Sequence, residues 1–96
     1  MEEKISLGGN IELNGFQNLE RAKLVVLKKI VGSCVKQIME KRGDYEKLAV
    51  TFEGDESNAT IKAELKAGGN SIPGEATENN IFVALNNALK KITESA

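Results

Sequence analysis

Apolar residues along this chain follow two different periods, and the switches between them mark the elements. From Lys4 to Phe16 they alternate in two pieces, Ile5 and Leu7, then Ile11 and Leu13, with Gly8-Gly9-Asn10 between. This predicts one strand interrupted by a glycine bulge or turn that re-aims its second half, with a tight two-strand hairpin across Gly-Gly-Asn as the alternative. The period then lengthens, and about Asn18 to Arg42 predicts a long helix. At about 100° per residue, Leu19, Leu24, Val26, Leu27, Ile30, Val31, Cys34, Val35 and Ile38 fall within one half of its circumference, which should be the buried side. Asn18 is the expected N-cap and Gly43 follows the last helical residues. Gly32 stands mid-helix at a cost of about 1 kcal/mol relative to alanine. Either another backbone comes close there or the cost is tolerated.

Alternation returns from Lys47 to Glu53, with Leu48, Val50 and Phe52 on one face and Ala49, Thr51 and Glu53 on the other. After a turn at Gly54-Asp55-Glu56-Ser57-Asn58, Ala59, Ile61, Ala63, Leu65 and Ala67 alternate with Thr60, Lys62, Glu64 and Lys66, predicting an antiparallel partner with one face in water. Gly68-Gly69-Asn70 turns the chain into a short strand, Ser71 to Thr77, where Pro73 cannot donate to a ladder and so marks a sheet edge. Asn79 or Asn80 then caps a second helix in which Ile81, Ala84, Leu85, Ala88, Leu89 and Ile92 share a face.

The order strand, helix, three-strand meander, helix predicts an α+β fold. It is a two-layer sandwich, β-α-β-β-β-α, with a four-stranded mixed sheet and two helices on one face. Ninety-six residues are enough for a single domain spanning 1–96. With 41% hydrophobic and 28% charged residues, the composition is that of a folded protein, and no segment approaches the roughly 20 apolar residues that span a bilayer. Met1-Glu2-Glu3-Lys4 lacks the order of a secretory signal, and the one cysteine, Cys34, falls on the apolar helical side, so a cytoplasmic protein without disulfides is expected.

The chain contains no histidine and no tryptophan. That removes the ligands of ordinary zinc and haem sites and the commonest general base, so no metal or cofactor is expected. Gly8-Gly9 and Gly68-Gly69 lack the lysine and serine of a phosphate-cradling loop. Glu53, Glu64 and Glu75 belong to separate strands and read as solvated surface, so the chain is not expected to be an enzyme. What stands out is charge on the back of the long helix. Arg21, Lys28, Lys29 and Lys36 project within an arc of about 100°, with Val25 and Gly32 between them. An exposed helix back is commonly just a solvated face, but such faces mix signs, and here Glu40 and Glu20 are the only acids near the arc. A net charge of −1 speaks against a general nucleic-acid coat, so a partner would read this one face.

The order of elements, together with the run from Glu75 to Ile92, resembles the ribosome hibernation-promoting factor family, also called ribosome-associated inhibitor or protein Y. In that family a strand of small and acidic residues leads into a helix of the type aromatic-x-Ala-Ile-x-x-Ala-Ile-x-Lys-Leu, and Phe82, Ala84, Leu85, Ala88, Leu89 and Lys91 fall in similar spacing. The resemblance implies a module that binds the small ribosomal subunit, or structured RNA, through basic residues of both helices and inhibits translation. Arg21, Lys28, Lys29 and Lys36 of the first helix and Lys90 and Lys91 of the second are the candidates. Ile30 to Ile38 is similar in part to the glycine-loop signature of K-homology domains, but Val35 replaces the second glycine inside a helical pattern, which rules that loop out. The competing expectation is an interaction or self-association domain that uses the open sheet face, Thr51, Glu53, Thr60, Lys62, Glu64 and Lys66, and it allows a homodimer. That face has no aromatic residue, so it cannot stack bases, and any RNA must be bound by the helices.

Overall fold

A computed structural model describes residues 5–7, 10–16, 19–55 and 57–95. The elements in chain order are β1 (Ile5–Leu7), β2 (Ile11–Asn14), α1 (Arg21–Lys41), β3 (Tyr45–Asp55), β4 (Asn58–Ala67), β5 (Asn70–Glu78) and α2 (Ile81–Ser95). The expected N-cap Asn18, the Gly8-Gly9 turn, Lys4 and Glu56 lie outside the described residues.

The four expected strands, β2 to β5, form the mixed sheet: β2 runs parallel to β3, as the α1 crossover permits, and β3, β4 and β5 are successively antiparallel. Of the two readings of the N-terminal segment, the hairpin is the one formed. β1 pairs antiparallel with β2, Ile5 opposite Leu13 and Leu7 opposite Ile11, and adds a short fifth strand at the edge. Asn10, at φ 61, is a residue that tolerates the left-handed region, and its surroundings hold it there. Its carbonyl accepts from the Leu48 N–H and the Tyr45 hydroxyl, both at 3.0 Å, and its amide donates to the Glu46 carbonyl at 2.9 Å.

One face of the sheet is buried beneath both helices. Ile11 and Leu13 of β2, Leu48 and Val50 of β3, and Ala59, Ile61, Ala63, Leu65 and Ala67 of β4 join a single core with the apolar stripes of α1 and α2. Lys62, Glu64 and Lys66 on the alternate positions are exposed, as period-two patterning requires. Pro73 sits opposite Glu64 on the edge strand β5, which extends over Asn70–Glu78, slightly longer than expected. The β4–β5 turn uses Gly68 at φ 57 and Gly69 at φ 81, the paired positive angles of a type I′ hairpin.

Gly74 decides how close α2 can lie. A Cβ built there would collide with the Ala88 carbonyl oxygen and stand 2.9 Å from Ile92 Cγ1, so α2 rests directly on the β5 backbone. Asn80 is the cap of α2: its Oδ1 accepts from the N–H groups of Phe82 at 2.8 Å and Val83 at 3.2 Å, filling orphan donors of the first turn.

α1 departs from expectation at both ends and on one flank. It starts at Arg21 with Glu20 in the N-cap position and no side-chain cap bond. Leu19 and Leu24 occupy the N′ and N4 positions of a hydrophobic staple, both against the core, so packing anchors this end instead. At the other end Arg42 is extended (φ −132, ψ 129), its N–H bonded to the Ile38 carbonyl at 2.8 Å, and Gly43 does not take the left-handed conformation. The chain leaves through a two-toothed Arg42–Asp44 ion pair at 2.9 and 3.0 Å. Leu27, Val31, Cys34, Val35 and Ile38 are buried as expected, whereas Val26 is 47% exposed. It is turned sideways, towards α2, where no sheet lies beneath it. Gly32 meets nothing: a Cβ there would find no heavy atom within 4 Å, so no backbone approaches and its cost is simply tolerated.

Candidate functional site

Arg21, Lys29 and Lys36 are exposed on α1, and Lys28 is half-buried at the edge of the same surface. Long lysine stems lie on apolar neighbours while the ammonium groups stay in water. Among the described residues no carboxylate pairs with any of the four. The open sheet face differs, because there Lys47 pairs with Glu12 at 2.8 Å and Lys62 with Glu53 at 3.4 Å. The positive charge of these four residues is therefore unmatched among the described residues, whereas much of that on the sheet is already matched.

The two lysines of α2 part company. Lys90 is exposed on the side facing α1, 4.0 Å from Glu94, the outer limit of an ion pair. Lys91 turns the other way, across β5, and donates to the Glu75 carbonyl at 2.6 Å. Thus Lys29 and Lys90 are brought together at one site, Lys28, Lys36 and Arg21 extend it along α1, and Lys91 is not part of it.

Between the helices runs a groove of 440 Å³ that sequence reasoning did not anticipate. Its floor is apolar, made by Ile30, Cys34 and Leu89, with the exposed Val26 beside them. Neutral polar side chains, Ser33 and Gln37 from α1 and Asn86 and Thr93 from α2, form its walls, and Lys29 and Lys90 stand at opposite rims. Burial pushes the Cys34 thiol above its ordinary pKa, so it remains a neutral, apolar part of that floor. The sequence did carry a signal, since Val26, Lys29, Ile30, Ser33 and Gln37 recur at helical spacing on one flank. What it lacked was any statement of where the second helix lies.

Among the described residues, no cluster of three metal-binding side chains is present, and no helix is long and apolar enough to cross a membrane. The molecule is, by fold and surface, a two-layer α+β domain with a basic helical side. No family model matches the chain, and no curated protein matches it. Among solved structures it is similar to a ribosomal subunit interface protein from Coxiella burnetii, with a TM-score of 0.66 and 13% identity over 90% of this chain and 89% of that one. The likeness is one of fold, and it supports the hibernation-factor-like architecture that the Glu75 to Ile92 segment implied.

Proposed function

We propose that the protein is a non-enzymatic, cytoplasmic RNA-binding module that associates with the small ribosomal subunit and inhibits translation, with Arg21, Lys28, Lys29, Lys36 and Lys90 facing phosphate. The observation that carries this reading is the contrast in charge pairing: Arg21, Lys28, Lys29 and Lys36 have no acidic partner among the described residues, while Lys47 and Lys62 on the sheet do. Shared fold with a ribosomal subunit interface protein supports the choice of partner. Lys29 and Lys36 are seven residues apart, about 10 Å along the helix axis. A row of that length suits a strand of phosphates better than a single small anion.

The test is a triple variant, Lys28→Glu, Lys29→Glu and Lys36→Glu, which leaves the core untouched. Its thermal stability should stay close to that of the parent, and its affinity for small ribosomal subunits should fall sharply. The slope of log affinity against log salt should shrink by about 0.7 to 0.9 for each phosphate that is no longer neutralised. Changing Lys62 and Lys66 should do much less. No binding of structured RNA or subunits by the parent near physiological salt would refute the reading and leave the open sheet face, as a surface for protein contact or self-association, the better account.

A further inference from the structure

We infer that the groove between α1 and α2 seats one unstacked nucleobase of the bound RNA, its flanking phosphates held by Lys29 and Lys90; the inference rests on the RNA-binding reading above and names what that surface recognises. Four features point to a base. The groove's 440 Å³ is within the range of pockets that hold small organic ligands. Its floor is apolar, which suits the face of a base, and its walls are neutral amides and hydroxyls. A base edge presents donors and acceptors but no charge, so Gln37 and Asn86, each with both an acceptor and donors, are complementary to it. The Ser33, Gln37 and Asn86 side chains make no hydrogen bond among the described residues and are free to turn towards a ligand. The charge is at the rims, one ammonium on each helix, and no carboxylate lines the groove. That is where a sugar-phosphate chain would pass if its base pointed inward.

A peptide helix is a poorer fit. Docking one requires a continuous apolar strip for residues at i, i+3, i+4 and i+7, and here polar walls leave only a short floor. Because the sheet offers no aromatic platform, base contact by this fold must come from shape and hydrogen bonds, as in recognition of splayed-out bases in loops.

The experiment is methyl-detected NMR of the full chain titrated with AMP, GMP, CMP and UMP, and with ribose 5-phosphate as the baseless control. At least one nucleotide should move the methyl resonances of Val26, Ile30 and Leu89, and ribose 5-phosphate should not. Ser33→Leu places a side chain in the groove from an exposed helix position and should abolish those shifts. It should also weaken binding to small ribosomal subunits by about tenfold, the range expected when one base is shut out of its seat, with an unchanged salt slope. Asn86→Leu provides a second block from the other helix if Ser33→Leu fails to fold. The inference is overturned if no nucleotide moves those methyls, if ribose 5-phosphate moves them equally, or if both blocked variants still respond. It is also overturned if an acidic amphipathic peptide moves them and no nucleotide does. Full subunit affinity in both blocked variants alongside weakened binding in the lysine-to-glutamate triple would sink the groove and keep the RNA reading. Failure of the parent to bind subunits would sink that reading, while the nucleotide titration still decides the groove.

Discussion

Replacing Gly32 with alanine should stabilise the protein by about 1 kcal/mol, the difference in helix propensity between the two residues in a helix interior. Gly32 is well inside α1, far from the frayed turns where propensity counts for little. Its φ is not in the left-handed region, so an alanine fits the backbone, and the new methyl meets no heavy atom within 4 Å. Nothing offsets the gain, because no neighbour is displaced. For a domain of this size 1 kcal/mol corresponds to a rise in Tm of about 4 to 8 °C. Thermal melts followed by circular dichroism should show that shift, and urea titration should move the midpoint at constant slope. A lower or unchanged Tm would refute the reasoning, since it would mean that some neighbour occupies the space beside Gly32. Subunit binding by the same variant is informative as well. Gly32 lies one turn from both Lys28 and Lys36, and a stabilised protein that binds less tightly would show that the ligand uses the bare backbone between them.

Gly74→Ala should act in the opposite direction, costing about 1 to 3 kcal/mol by forcing α2 off β5, and chemical denaturation would measure it. Cys34→Asp should destabilise by about 3 kcal/mol or more through burial of an unpaired charge, and in the parent a thiol reagent should label Cys34 far more slowly in the folded than in the unfolded chain. Arg42 holds the Asp44 carboxyl below its ordinary pKa of 3.8, so this group contributes stability above the unfolded value and loses it as pH falls through the lowered one. Asp44→Asn should therefore flatten the acid limb of the stability-pH curve while leaving its slope near neutrality unchanged.

Much of the fold was legible because a half-buried strand states its register outright. Ala59 to Ala67 alternates without a fault, and each residue faces as its polarity requires. The second helix was equally plain, with six apolar residues on one side and Asn80 at its start. Periodicity gave out where the answer depended on a neighbour. A residue such as Val26, at the margin of an apolar arc, is buried or exposed according to where the second helix lies, and a rotation of 100° per residue contains no such information. The same holds for Lys90 and Lys91, adjacent in sequence: both border the cleft beside β5, but only Lys90 also lines the groove against α1. The hairpin could not be chosen over a bulge because Gly8-Gly9-Asn10 suits both, and the decision rests on Asn10 being tied to Glu46 and Leu48, 36 and 38 residues away. The groove was hidden for a related reason, since each helix contributes only half of it.

The crossover between β2 and β3 has a kinetic side. From Tyr45 to Ser95 every strand and helix packs on the element next to it in the chain, so this stretch can assemble through short loop closures. The β1–β2 hairpin and α1 join only when a connection containing a 21-residue helix brings β2 alongside β3. Amide exchange should accordingly be slowest in β3 and β4 and faster in α1, where the late-docking element sits at the less stable end of the molecule. That element also carries Lys28, Lys29 and Lys36, which pair with no carboxylate among the described residues. A bound polyanion would thus hold down the part of the chain most ready to leave, and protection of α1 should rise on binding more than that of any strand.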